Sequence, residues 1–166
     1  MPRKVKILIV GYTQAGKSTS AEILSDYLRV SYANSSDAIV EQYALAAGLT
    51  PAHIRANKSE YRSELFNFGR AKQAVDAFWP QSDLLKTAHI IAGLRNPDEV
   101  QAARDHKAYD AILWISRPGC VKGPTDKLDP SCADVQVEND GAISDLRGKL
   151  IAIVQGLQQL PELRAS

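Results

Sequence analysis

A chain of 166 residues, 45% hydrophobic and 23% charged, can fill one substantial core but not several domains. Its formal net charge of +1 gives no global field for nucleic acid or a membrane surface, so any anion site must be local. The apolar run behind Arg3 and Lys4 is too short for a signal peptide or a membrane span and no later segment is long enough either, so the expectation is a cytoplasmic protein.

Val5, Ile7, Leu8, Ile9 and Val10 form a short apolar run rich in β-branched residues, the pattern of a strand buried in a parallel sheet. Gly11-Tyr12-Thr13-Gln14-Ala15-Gly16-Lys17-Ser18 follows at once and satisfies the P-loop spacing Gly-x4-Gly-Lys-Ser/Thr. Thr19 to Arg29 then reads as a helix, with Leu24 and Leu28 on one stripe. Glycines at 11 and 16 allow a tight turn that brings backbone N–H groups onto phosphate oxygens, and the helix start adds the positive end of its dipole. The stretch Gly11, Gln14, Ala15, Gly16, Lys17, Ser18 and Thr19 is thus the expected ATP cradle. Lys17 reaches the β- and γ-phosphates, and the Ser18 hydroxyl is the candidate Mg²⁺ ligand.

Beyond the first helix the chain keeps alternating. Val30 to Ala33 is a short second strand; Ser36 caps a helix from Asp37 to Ala47, ended by Gly48; Thr50 and Pro51 open a helical turn near 52–56. Ser59 then caps a longer helix in which Tyr61, Leu65, Phe68, Val75 and Phe78 make an apolar stripe up to Trp79-Pro80, and Gly69 marks a kink or break. Residues 81–87 form a short polar helix or turn. His89 to Ala92 is a buried strand, Asn96 and Pro97 start a helix, and Asp110 to Ser116 is a third strong strand.

Residues 117–132 read as a loop, Ala133 to Val137 as a last strand, and Ile143, Leu146, Leu150, Ile153, Leu157 and Leu160 as the stripe of a closing helix. Strands alternating with helices predict an α/β, three-layer P-loop NTPase fold, a parallel sheet with helices on both faces. Cys120 and Cys132 are read as two free thiols, and no Cys/His metal cluster is visible. His53, His89 and His106 are read as structural.

The P-loop identifies a nucleotide site without naming a reaction. A GTPase would need Asn-Lys-x-Asp at a strand end, whereas Asn57-Lys58 is followed by Ser59-Glu60. A small P-loop kinase fits the chain length, with a helical insert for the acceptor and a basic loop late in the sequence.

Four further stretches sharpen this. Arg62-Ser63-Glu64-Leu65-Phe66-Asn67-Phe68-Gly69 is similar to an Arg-x-x-Leu-Gln-x-Leu-Gly helix, Gly93-Leu94-Arg95-Asn96-Pro97-Asp98-Glu99 to Asp-Val-Arg-Phe-Pro-Asn-Glu, Arg117-Pro118-Gly119 to a lid entrance, and Val137-Glu138-Asn139-Asp140-Gly141 to an Ile-x-Asn-Asp-Gly turn. In that order, with the P-loop, they resemble the phage-type deoxynucleoside monophosphate kinases within the nucleoside monophosphate kinase group. The resemblance implies transfer of phosphate from ATP, with Mg²⁺, to a (deoxy)nucleoside 5′-monophosphate, on one domain with an acceptor insert at about 36–80 and a lid at about 117–132. Its partners are small-molecule nucleotides, with neither nucleic acid nor membrane, and a homodimer is compatible with it.

Arg62 and Arg70, with Asp37, are then candidates for the acceptor, and Arg95 and Arg117 for the transferring charge, roles that suit a guanidinium fork. Two alternatives stay open: another small-molecule P-loop kinase, and a nucleotide-binding module with weak or no transferase activity. Gly93 departs from the resemblance. The family has an aspartate there, and its loss leaves Ser18 and the phosphates as metal ligands, with Asp37 or Asp98 to supply the missing charge.

Overall fold

The computed structural model describes residues 4–124 and 126–160. Its centre is β1 (Ile7–Val10), all four residues of which are fully buried. Around it lie β2 (Tyr32–Asn34), β3 (Ile90–Ala92), β4 (Ala111–Ser116) and β5 (Val135–Glu138), in the order β2-β3-β1-β4-β5. Every pair is parallel; Ile7 stands opposite Ile90 on one side and Ala111 on the other. The expected parallel sheet with helices on both faces is therefore present.

Strand alternation divides the core between two faces. Ile7 and Ile9 pack with α1 (Lys17–Leu28) and α7 (Ile143–Gln158) through Ala21, Leu24, Leu146, Leu150 and Val154. Leu8 and Val10 face the other way, with Ile91, Ile112, Trp114 and, from α6 (Pro97–Asp105), Val100 and Ala103. A third, small cluster belongs to the segment between β2 and β3. There Val40 and Ala44 of α2 (Ser35–Ala47), Ile54 of α3 (Pro51–Ala56) and Leu65 of α4 (Arg62–Val75) pack together. Among the described residues no helix is long and apolar enough to cross a membrane.

Several boundaries move. The second strand begins at Tyr32 rather than Val30, because Val30 is drawn into the core beside α1. The following helix starts at Ser35 behind Asn34, not at Asp37 behind Ser36. The α4 helix is shorter than its apolar stripe: it ends at Val75, which is 91% exposed, and Phe78 and Trp79 pack beyond its end. Gly69 does not break it. A Cβ there would stand 3.1 Å from Ile39 Cδ1, so the glycine lets α4 lie close against α2. Residues Gln81–Leu84 form α5, and both cysteines are free thiols as expected.

Candidate active site

A parallel sheet opens its ligand crevice at the carboxyl ends of its strands. With β1 at the centre, the loop Gly11–Gly16 stands in the middle of that edge. Its shape is fixed from both flanks. A Cβ at Gly11 would come within 2.4 Å of the Ile115 carbonyl oxygen, so only glycine lets the loop leave β1 against β4. Gly16 has φ +104 and lies against Asn139, whose Nδ2 donates to the Ala15 carbonyl at 3.0 Å. Tyr12 packs edge-on against buried Trp114, with ring centroids 4.9 Å apart. Gln14 takes a left-handed φ of 64°, completing the turn that precedes α1.

Lys17 Nζ donates to the carbonyls of Gly11 and Tyr12, at 2.8 and 2.7 Å, and so lies across the loop it belongs to. Burial pulls its pKa below the usual lysine value. The Arg95 guanidinium acts in the same direction, and Asp126 and Cys120 oppose it. Ser18 Oγ donates to Asn34 Oδ1 at 3.3 Å, on an exposed part of the edge. Asn34, at the end of β2, therefore places a second oxygen beside the serine. Ser18 and Asn34 are hard oxygen donors of the kind Mg²⁺ takes alongside waters and phosphates, so the residues present fit that ion. No cluster of three or more His, Cys, Asp or Glu suited to a metal occurs among the described residues.

Beside the loop runs a groove between α2, α4 and the turn after β3. It is lined by Ser35, Phe66, Arg70, Gln73, Arg95 and Glu99, among others. Glu99 organises it. Its Oε2 accepts from the backbone N–H groups of Arg95 and Asn96, at 3.2 and 3.0 Å, and its Oε1 accepts from Gln73 Nε2 at 2.7 Å. The carboxylate thereby closes a capping box with Asn96 and ties α4 to the turn that presents Arg95. Burial pushes the Glu99 pKa up, while those N–H donors and the nearby Arg70 hold it down. Ser35 Oγ donates to the Gly93 carbonyl at 2.9 Å and closes the groove floor against β3.

Of the four arginines expected at the site, Arg70 and Arg95 line the groove. Arg62 is exposed at the first position of α4, and Arg117 is exposed past β4; neither lines it. Asp37 faces Arg55 at 3.9 Å and also stands outside the groove lining, while Asp98 is exposed in the first turn of α6. Gly93 is held at φ +99, where an aspartate would be strained. Asn34, Asn139 and Asp126 were not among the residues expected here.

The loop after β4 is partly docked. Cys120 packs against one face of the core, Leu128 is buried in the other, and Lys127 N–H donates to the Arg95 carbonyl at 3.2 Å. A 3₁₀ turn, Pro130–Cys132, ends it.

No family model matches the chain, and no curated protein matches it in sequence. Solved structures do resemble it. Shikimate kinase from Acinetobacter baumannii, in complex with shikimate, superposes with a TM-score of 0.56 at 16% identity over 94% of this chain and 96% of that one. APS kinase from Mycobacterium tuberculosis, in complex with AMPPNP and APS, gives 0.54 at 14% identity over 93% and 99%. A gluconokinase from Sinorhizobium meliloti gives 0.52 at 13% identity over 98% and 96%. The chain thus has the fold of the P-loop small-molecule kinases.

Proposed function

We propose that the protein transfers the γ-phosphate of ATP to a nucleoside or deoxynucleoside 5′-monophosphate. One observation carries this reading: Arg95 lies within electrostatic reach of Lys17 and, with Arg70, lines the adjoining groove. A guanidinium between a donor-phosphate loop and a second basic groove is what transfer between two phosphates needs. Phe66, 45% exposed on the groove wall, adds a flat apolar face on which a base can stack.

In this reading the backbone N–H groups of the P-loop hold the β- and γ-phosphates, and Lys17 turns from its loop carbonyls to them. Ser18 and Asn34 would hold Mg²⁺, which supplies charge neutralisation on the phosphate oxygens when bound. Arg70 and Arg95 orient the acceptor phosphate so that its oxygen forms the new bond to the γ-phosphorus as the bond to the β-bridging oxygen breaks, releasing ADP. Docking of the late loop over this edge keeps water from competing as acceptor.

The fold likeness to shikimate kinase, APS kinase and gluconokinase favours a second reading, a kinase for another small acceptor. A coupled ADP-release assay separates the two. ADP formation stimulated by one or a few nucleoside monophosphates is expected. Stimulation only by shikimate, adenylyl sulfate or gluconate would replace this reading with the second, and ATP binding without transfer to any acceptor would leave a binding module.

A further inference from the structure

All the strands run parallel, so their amino ends share the edge of the sheet opposite the phosphate loop. Three strand starts meet there. The His89 carbonyl accepts the Ile7 N–H at 2.9 Å, and the His89 N–H donates to the Ser31 carbonyl at 2.9 Å. That sets the residue before β3 between the starts of β1 and β2. The helix α1 ends beside them: its C-cap, Arg29, turns the chain at φ 53, and Val30 enters the core. Between these elements lies a cavity of about 340 Å³, lined by Lys4, Arg29 and His89 together with Ser31, Thr87 and Asp26. Its volume falls within the roughly 300–1,000 Å³ usual for small-molecule sites. The length of α1, about 18 Å for its 12 residues, separates it from the phosphate loop, so it is a second site.

Exposed lysines and arginines are ordinarily solvated, or paired with carboxylates. Here the pairing is missing. Among the described residues the side chains of Lys4, Arg29, His89 and Ser31 have no hydrogen-bond or ion-pair partner. Asp26, the one carboxylate in the lining, forms no ion pair with either cation. Lys4 and Arg29 are exposed and His89 is half-buried, so the imidazole is the deepest of the three. Burial, and then the charges of Lys4 and Lys6, pull the His89 pKa below the usual histidine value. An anion in the cavity would relieve both lysines and the imidazole of this repulsion. A phosphoryl group suits three such donors, because it brings up to two negative charges and three strong acceptor oxygens. A monocarboxylate brings one charge and two oxygens.

We propose that the cavity between Lys4, Arg29 and His89 binds a phosphoryl group, carried by a small hydroxylated phosphomonoester or present as free phosphate. Asp26 favours the first source, since a carboxylate beside the cations accepts hydrogen bonds from ligand hydroxyls and repels a bare phosphate. The site does not depend on the ATP reading, and neither does its test.

The imidazole Cε1–H resonances of the three histidines report where binding occurs, with the His89 signal assigned by its absence from His89→Gln. The protein is titrated with ribose 5-phosphate, inorganic phosphate and ribose, at constant pH and with sodium chloride holding the ionic strength. A saturable shift of His89, with His53 and His106 unmoved, is expected for the two phosphoryl ligands and not for ribose. Tighter binding of ribose 5-phosphate identifies the phosphomonoester as the ligand; equal affinity identifies free phosphate. Arg29→Gly, which suits the positive φ, and Lys4→Gln should each weaken binding about fivefold or more. Lys17→Ala, at the far end of α1, should leave it within about twofold. The proposal is overturned if neither phosphoryl ligand shifts His89 saturably, if ribose does so equally, or if all three histidines shift alike. Loss of the His89 shift in Lys17→Ala would put the phosphate in the phosphate loop and overturns it too. Should Arg29→Gly not fold, unchanged affinity in Lys4→Gln overturns it alone.

Discussion

The phosphate loop and the groove beside it meet at Arg95, yet they are built in opposite ways. The loop is one contiguous stretch, shaped by the close approach of Gly11 to the Ile115 carbonyl and of Gly16 to the Asn139 side chain, and closed by its own lysine. The groove is assembled from α2, α4 and the turn before α6, segments held together by Glu99 and by the small cluster of Val40, Ala44, Ile54 and Leu65. A contiguous device survives the loss of any one distant contact, whereas an assembled one fails where its tie is cut. Substitutions should therefore separate the two regions by whether they remove chemistry or architecture.

The largest effect is expected in the loop. Lys17→Ala should lower turnover on the order of a hundred- to a thousandfold in the ADP-release assay, with the unfolding midpoint little changed. Its removal deprives only two loop carbonyls of a donor, and water can replace that donor at this edge. Retained turnover would mean that the loop is not the donor site.

In the groove the largest effect should be on stability. Glu99→Ala leaves the N–H groups of Arg95 and Asn96 and the amide of Gln73 without their acceptor, which costs about 3 kcal/mol by denaturant unfolding. Glu99→Gln refines this through pH. Because burial raises the folded pKa above the unfolded one, the protonated form is the better fit. The stabilisation from this group is then full below the unfolded pKa and lost as pH rises through the folded value. The Gln variant should lack that decline, and identical pH–stability curves would contradict the buried placement.

Between the regions sits Gly93. Gly93→Asp should cost about 1–2 kcal/mol, since it forces a side chain into φ +99 with its Cβ 3.3 Å from Ser35 Oγ. It should not reduce the Mg²⁺ requirement, and a lower requirement would make the strand end the metal's natural anchor after all.

Smaller still, Arg70→Ala should raise the acceptor KM about tenfold, about 1.4 kcal/mol, with ATP affinity unchanged. Arg62→Ala, which alters a residue outside the groove, should shift it less than twofold. Equal effects from the two would place the acceptor elsewhere along α4.

The same contrast explains what could be read from the residues alone. The P-loop, the buried strands and the parallel sheet were legible because their signals are local: β-branched runs, glycine spacing and helix starts. The groove beside the loop was half legible. Arg70 and Arg95 lie in recognisable stretches, but that these two line the groove while Arg62, Asp37 and Arg117 do not depends on where α4 begins and on which way α2 faces. Asn34 and Asn139 were missed because each meets the loop across the fold, 16 residues from Ser18 and 124 from Ala15. Asp126 sits in a glycine- and proline-rich stretch whose composition signals a loop and says nothing about which of its carboxylates turns inward. The apolar stripe overran α4 because Phe78 packs, past the helix end, against the cluster that holds Val100 and Ala103 of α6, while Trp79 is buried with its ring 5.1 Å from Lys72 Nζ.

The central claim is that donor and acceptor bind on either side of Arg95. Hydrogen exchange measured with ATP and Mg²⁺ alone, and then with a nucleoside monophosphate alone, tests it most directly. ATP should slow exchange in residues 11–20 and leave 65–73 unchanged; the monophosphate should slow exchange in 65–73 and in 93–99 and leave 11–16 unchanged. Protection of the same residues by both ligands, or of neither 65–73 nor 93–99 by the monophosphate, would contradict the account.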